Sequence, residues 1–389
     1  MKRAGHFFIL LIFAGSVTGC EGTIPTHIQF PGKDSVVIDG KFSMPSVSES
    51  PYLAIWVNPS LSTSYISDSI PTQRRPLRGG PGYNFLIKKM LLEKGIISFE
   101  YKSQRDSIVL AGSKYPSATM HTKAQDLEMA ISLICSKKKL KKKKIILIGC
   151  SEGGASATIA ASKERKIQGL VLIGTPGVKG SIFLDYQGKC ADTLRCGTFG
   201  IPEFYNMVYS TVTFQEKFDN DLYGFSRFRD SCSFPLRKIL NKNLESGINY
   251  TSNAQDVMQY INSKWEKEKS QKTDDLELSE ILKDFNAYCQ MFGAIQYIQP
   301  QQIELYTWNP DLYFPKITCP VIVVYGTKDR QLEYKSSMEN IKRLLAEGGN
   351  QNFTELVFQN RDHILQHPHN RPPLEENDLE PVIDWISRL

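Results

Sequence analysis

The stretch that most constrains this chain is "IILIGCSEGGASATIAA", residues 145–161. An unbroken apolar run ends in Gly149-Cys150-Ser151-Glu152-Gly153, and a segment of small residues follows at once. That order describes a buried strand, a very tight turn and a closely packed helix. The residue at the apex of such a turn is held in a strained backbone conformation with its side chain pushed clear. Glycines two before and two after the apex remove the Cβ atoms that would strike the neighbouring helix and strand. Two nucleophiles compete for the apex. For Cys150 the flanking glycines would have to stand at 148 and 152, but those positions are Ile148 and Glu152. Only Ser151 has glycines in both places, so Ser151 is the expected nucleophile and Cys150 a packing residue beside it.

A serine hydroxyl needs a base, and the base needs an orienting acid. In a strand–turn–helix site of this kind the order along the chain is Ser, acid, His. Six histidines are present, at 6, 27, 121, 363, 367 and 369. His6 falls in the leader, and His27 and His121 precede the serine. His367 and His369 stand in a proline-rich surface stretch. His363 follows the last strand-like run, in "QNRDHILQ", and is the expected base. The acid should follow the strand before it, and "VIVVYGTKDRQL" puts Asp329 three residues past Gly326. Asp362 adjoins His363 in sequence, a poor geometry for reaching its Nδ1. Two backbone donors are needed for an oxyanion. Glu152, directly after the serine, supplies one. Ser60, in the loop after the strand at 51–57, supplies the other, with "RGGPG" at 78–82 as a rival.

The rest of the chain alternates strands and helices. Apolar runs at 51–57, 96–100, 144–149, 169–174, 321–326 and 353–358 are read as strands. Helical periodicity covers 83–95, with Phe85, Met90 and Leu91 or Leu92 on one side, then 124–135, 154–164, 336–347 and the C-terminal "LEPVIDWISRL". Runs around Val36-Val37-Ile38 and Phe42, broken by Gly40, read as an opening hairpin. Uninterrupted apolar strands separated by helices imply a mostly parallel sheet covered on both faces. The alternation breaks between Thr175 and about Pro315, where helical and aromatic-rich sequence replaces it. A segment inserted there lies where strands deliver ligands, and is expected to form a helical cap. The division is therefore leader 1–19, linker and hairpin 20–50, core 51–175 plus 316–389, and cap 176–315.

Lys2, Arg3 and the apolar "FFILLIFAGS" form a short export leader, too short to span a membrane. Gly19-Cys20 resembles a bacterial lipoprotein cleavage site, which implies lipid attachment at Cys20 and a place on the cell envelope. Loss of Lys2 and Arg3 lowers the formal charge from +6 to +4, and seven lysines lie in Lys137–Lys144. The basicity is thus one local patch, read as a solvated turn or as a surface attracted to anionic lipid headgroups. Nothing in it argues for nucleic acid. Cys190 and Cys196 are the expected pair if disulfides form, and Cys135, Cys150 and Cys319 read as buried thiols. No Cys/His spacing implies a metal, and no organic cofactor is expected.

With these residues in view, the sequence resembles the α/β-hydrolase superfamily, and within it a branch of bacterial serine hydrolases with a Gly-His-Ser-Glu-Gly-Gly elbow. Here the elbow reads Gly149-Cys150-Ser151-Glu152-Gly153-Gly154, and 326–366 is similar to that branch's Asp and His region. His-Gly after the first core strand is replaced by Asn58-Pro59, and the usual Asp-x-Arg-Gly by "EYKSQRDS", Glu100 to Ser107. The resemblance implies a serine hydrolase acting on small-molecule carboxylic esters. Two alternatives stand beside it: a prolyl aminopeptidase-like peptidase, suggested by "GGPG", and a non-catalytic surface protein on a hydrolase scaffold.

Overall fold

The computed structural model describes residues 26–47, 50–58, 83–103, 118–184, 186, 235–271, 300–365 and 374–389, with isolated positions between 279 and 288. Eight strands form one sheet. In chain order they are β1 (His27–Pro31), β2 (Val37–Ser43), β3 (Tyr52–Val57), β4 (Ile97–Ser103), β5 (Lys144–Cys150), β6 (Ile167–Ile173), β7 (Val321–Gly326) and β8 (Phe353–Phe358). Across the sheet they run β1-β2-β4-β3-β5-β6-β7-β8. The β1–β2 and β2–β4 pairs are antiparallel, and all pairs from β4 to β8 are parallel.

The helices are α1 (Tyr83–Glu93), α2 (Met120–Ser136), α3 (Glu152–Ala161), α4 (Tyr250–Lys269), α5 (Pro300–Thr307), α6 (Tyr334–Glu347) and α7 (Glu376–Ser387). The central strands β3 to β7 are buried on both sides because successive side chains feed two different cores. Leu53, Ile55 and Val57 of β3 join the layer that holds Leu127, Ile131 and Ile159 of α2 and α3 and Ile341 of α6. Tyr52, Ala54 and Trp56 face the other way, onto Ile87 and Leu91 of α1 and Val382 and Ile383 of α7. Each fully buried Leu or Ile contributes about 1.5–3 kcal/mol, so an unbroken apolar strand is stable only between two such layers.

Two local expectations are corrected. Gly40 does not break a hairpin, because β2 is one strand through Gly40 and its antiparallel partner is β1. A Cβ at Gly40 would lie 2.5 Å from the ring of Phe99, so glycine makes room there for an aromatic of the adjacent strand. In α1 the buried stripe is Leu86, Ile87, Met90 and Leu91, and Phe85 points outward at 58% exposure. Residues five apart on a helix are about 140° apart around its axis, so Phe85 and Met90 could not share a face.

Within 176–315 the described residues contain helices and no strand: a helical stretch at 180–184, a helix over 235–245, then α4, α5 and two 3₁₀ turns, Pro310–Leu312 and Phe314–Lys316. They enclose a core of their own from Leu236, Leu240, Val257, Ile261, Leu282, Tyr288 and Ile303. Trp265 belongs to it, with its ring 5.1 Å from that of Phe285 and its Nε1–H donating to the Leu282 carbonyl. Phe183, Trp308 and Phe314 instead pack into the core of the main sheet. No helix among the described residues is long and apolar enough to cross a membrane.

Candidate active site

β5 delivers Ser151 to the C-terminal end of the parallel strands. Ser151 has φ 50° and ψ −125°, and α3 starts at the next residue. For a residue with a Cβ this left-handed region costs on the order of 1–3 kcal/mol, and the surrounding packing must impose it. That packing is visible in the glycines. A Cβ on Gly149 would sit 2.6 Å from the Gly154 Cα, and one on Gly153 would sit 2.1 Å from the Val57 carbonyl oxygen. A third glycine, Gly154, is equally obligatory, since a Cβ there would meet the Thr175 hydroxyl at 1.8 Å. The helix thus presses on both its own strand and the end of β3. All ten of its residues are buried, and seven of them are Gly, Ala or Ser, which lets the helix approach this closely. The helix begins at Glu152, so the Glu152 N–H lies in its first turn, whose amides have no acceptor within the helix.

Cys150 is the last residue of β5 and is buried, with the Tyr83 hydroxyl donating to its Sγ at 2.7 Å. Burial pushes its thiol up to about 11, partly offset by the Tyr83 hydrogen bond and reinforced by the nearby Asp329 charge. Cys150 is therefore a protonated thiol at neutral pH. Cys319 is also buried and free, and Cys135 is free and half-buried.

Asp329 and His363 meet. Asp329 follows β7 and His363 follows β8, and the Asp329 Oδ2 lies 2.8 Å from the His363 Nδ1. The other oxygen, Oδ1, accepts from the backbone N–H groups of Gln331 and Leu332, at 2.8 and 2.9 Å. The carboxylate is thereby oriented by its own loop, and both side chains are buried. Asp362 turns elsewhere, its Oδ1 accepting from the Ile364 N–H. Burial is the largest influence on His363 and opposes its protonation. The charge and hydrogen bond of Asp329, with the Asp362 charge, together outweigh it, so the imidazole pKa is raised above 6.5. Its Nε2 is buried and makes no hydrogen bond among the described residues.

One backbone link carries the serine turn to the imidazole. The Ser151 N–H donates to the Ile173 carbonyl at 2.8 Å. Ile173 precedes Gly174, which has φ +54°, and a Cβ on Gly174 would lie 3.0 Å from the His363 Cε1. Glycine here lets the ring approach the end of β6, beside Ser151. A neutral imidazole whose Nδ1–H is held by a carboxylate offers its Nε2 lone pair to a hydroxyl proton.

Several contributors carry no signal in the sequence. Gln301 of α5 donates from its Nε2 to the Glu152 Oε2 at 2.8 Å, both residues being buried, so the Glu152 side chain is engaged by a helix of the inserted segment. Lys123 of α2 is buried and donates to the Asn58 carbonyl at 2.8 Å, fixing the chain where it leaves β3. The Tyr325 hydroxyl donates to the Thr175 carbonyl and the Tyr186 hydroxyl to that of Asp329. Each pairs residues more than sixty positions apart, which only the fold juxtaposes. Ser60, the segment 78–82, Cys20 and the cysteines at 190, 196, 232 and 289 lie outside the described residues. No group of three or more His, Cys, Asp or Glu among the described residues could hold a metal ion.

The family model described as "alpha/beta hydrolase fold" matches residues 105–369. No curated protein sequence matches the chain. Similar solved structures include an esterase of Pyrococcus furiosus, 15% identical, covering 93% of this chain and 88% of that one with a TM-score of 0.43. The Est1E protein of Butyrivibrio proteoclasticus is 13% identical, covering 94% and 97%, with a TM-score of 0.43. A proline iminopeptidase of Mycobacterium smegmatis is 12% identical, covering 93% and 96%, with a TM-score of 0.45. A family match over more than half of the chain, on a sheet wound in this order, means that the protein belongs to the α/β-hydrolase fold family.

Proposed function

We propose that this protein is a serine hydrolase that cleaves carboxylic esters through an acyl-enzyme on Ser151. His363 takes the hydroxyl proton as Ser151 attacks the ester carbonyl, and returns it to the leaving alcohol. Asp329 holds the imidazole in the tautomer with Nδ1–H and stabilises it when it becomes charged. The Glu152 and Ser60 N–H groups receive the developing oxyanion. Water then attacks the acyl-enzyme by the same proton route, releasing the acid and restoring Ser151. The segment 176–315 acts as a cap over the site, and the protein works on the cell envelope, exported and lipid-anchored through Cys20.

The observation that carries this reading is the buried Asp329–His363 pair beside a serine at φ 50°. Isolated buried acids and histidines are common enough, but a strained serine turn on the same strand ends is hard to explain by packing alone. Ester rather than amide chemistry rests on the resemblance of the elbow and of 326–366.

A fluorophosphonate probe tests the reaction class. The folded wild type should label and Ser151→Ala should not. No label on the wild type would leave a non-catalytic scaffold, and equal labelling of the variant would overturn Ser151 as the nucleophile. Turnover of short p-nitrophenyl esters against Pro-β-naphthylamide separates esterase from aminopeptidase.

A further inference from the structure

We propose that the turn Lys137–Lys144 is a docking surface for an anionic lipid bilayer, on the end of the sheet opposite the active site. β5 starts at Lys144 and ends at Cys150, next to Ser151. Six steps of a strand span about 20 Å, so the lysines and the serine occupy opposite ends of the parallel strands.

The turn is built to present charge. Leu140, at its centre, is fully buried and pins it to the core. The Lys137 N–H closes the end of α2 on the Ile134 carbonyl, and the Lys143 ammonium is tied to the Ser50 carbonyl. Around that pin Lys138, Lys139, Lys141, Lys142 and Lys144 are exposed. Among the described residues none of these five has a carboxylate partner. Lysines at the end of a helix are favoured by its dipole, but that favours one or two in the last turn and not a run continuing into the next strand. Lys166 extends the patch, because Ile145 of β5 pairs with Ile167 of β6 and brings the start of the next strand alongside. Val47, 62% exposed, stands in the β2–β3 connection at the same end.

The path of the chain also favours a bilayer over another polyanion. β1 is antiparallel to β2, and β2 is antiparallel to β4, so β1 runs in the same sense as β5. β1 therefore begins at the lysine-bearing end of the sheet, and Cys20 lies seven residues before its first residue in sequence. A lipid on Cys20 and a basic turn at the same end would hold the protein by two weak signals. The active site would then open away from the membrane. This part of the inference rests on the lipid-anchor reading. The charge argument does not, nor does either depend on hydrolase activity.

The test separates these points. The full chain with Cys20→Ser is mixed with vesicles of phosphatidylcholine alone or with about 30% phosphatidylglycerol, and the bound fraction is measured by co-sedimentation. Any apolar contribution from the leader appears on both vesicles, so their ratio isolates charge. At low salt the ratio should favour the anionic vesicles at least about tenfold, since each near-surface lysine adds to the attraction, and 0.5 M salt should abolish the preference. Converting Lys138, Lys139, Lys141 and Lys142 to Gln should remove most of that preference, with the thermal-unfolding midpoint unchanged. Converting Lys238, Lys242, Lys267 and Lys269, exposed on the inserted segment, should leave it intact. No preference for anionic vesicles, equal loss in both variants, or displacement of the protein from vesicles by equimolar RNA would overturn the proposal.

Discussion

The His363 imidazole donates its Nδ1–H to Asp329 across 34 positions of sequence, and the remaining Asp329 oxygen is fixed by two backbone amides. The acid cannot swing away without losing those amide bonds, so the imidazole plane is set by the loop after β7. An imidazole oriented in this way has a titration that can be measured and moved.

The first expectation concerns that titration. The His363 pKa is raised, and only the neutral ring can act as a base, so the acid limb of kcat/KM should fall above pH 6.5. In Asp329→Asn the raising charge and hydrogen bond are lost while burial remains, so the limb should move to lower pH. The rate should drop by about 10⁴ through loss of the correct tautomer. For stability the sign is the other way. The pair's contribution is fully present below the unfolded histidine pKa and fades as pH rises through the higher folded value. A limb that stays in place or rises in the variant, followed by pH–rate profiles, would refute the coupling.

Cys150 should be inert. Its thiol is pushed up to about 11, so at pH 8 the thiolate is a minute fraction and the sulfur is buried. Iodoacetamide at pH 8 should leave Cys150 unmodified in the folded protein and alkylate it in denaturant, as read by peptide mass spectrometry. Fast alkylation of native Cys150, with loss of activity, would reopen the cysteine as the nucleophile.

Gly153→Ala should be costly, although alanine is the better helix former. The added methyl would meet the Val57 carbonyl at 2.1 Å, and the contact is backbone on one side and a helix on the other. A loss of about 1–3 kcal/mol is expected from such overpacking, with displacement of the Asn58 loop. Chemical denaturation gives the stability change. A variant as stable as wild type would mean the helix and β3 are not held at this distance.

Gln301→Leu tests the link between the inserted segment and the elbow. The change removes an amide donor from a buried carboxylate, for an expected loss of about 1–3 kcal/mol. The residue does not touch the reacting atoms, so KM should rise more than kcat falls, and Gln301→Glu at neutral pH should be worse than leucine. Identical KM and stability in Gln301→Leu would remove any role for this contact.

Some elements were legible in the sequence for plain reasons. A strand buried on both faces has an unbroken apolar run, and β3, β5, β6 and β7 all show one. The glycines around Ser151 are forced by backbone-to-backbone contact, so their spacing identifies the apex. Other features were not legible because they depend on neighbours from other elements. The role of Gly40 follows from Phe99 on the next strand. Gln301 and Lys123 are ordinary polar residues until the fold buries them against Glu152 and Asn58.

The sequence by itself determined the layered α/β architecture, the choice of Ser151 over Cys150 at the turn, and the order in which Asp329 and His363 follow. These are consequences of local sterics and side-chain periodicity, which act within a few residues of chain. Only the tertiary structure decided that Gly174 lets the ring approach the end of β6, that Gln301 reaches the Glu152 carboxylate, and that Lys123 holds the Asn58 carbonyl. Those relations depend on strand order and on burial, which change the pKa of a thiol or the partner of a carboxylate without any change in the residues beside it.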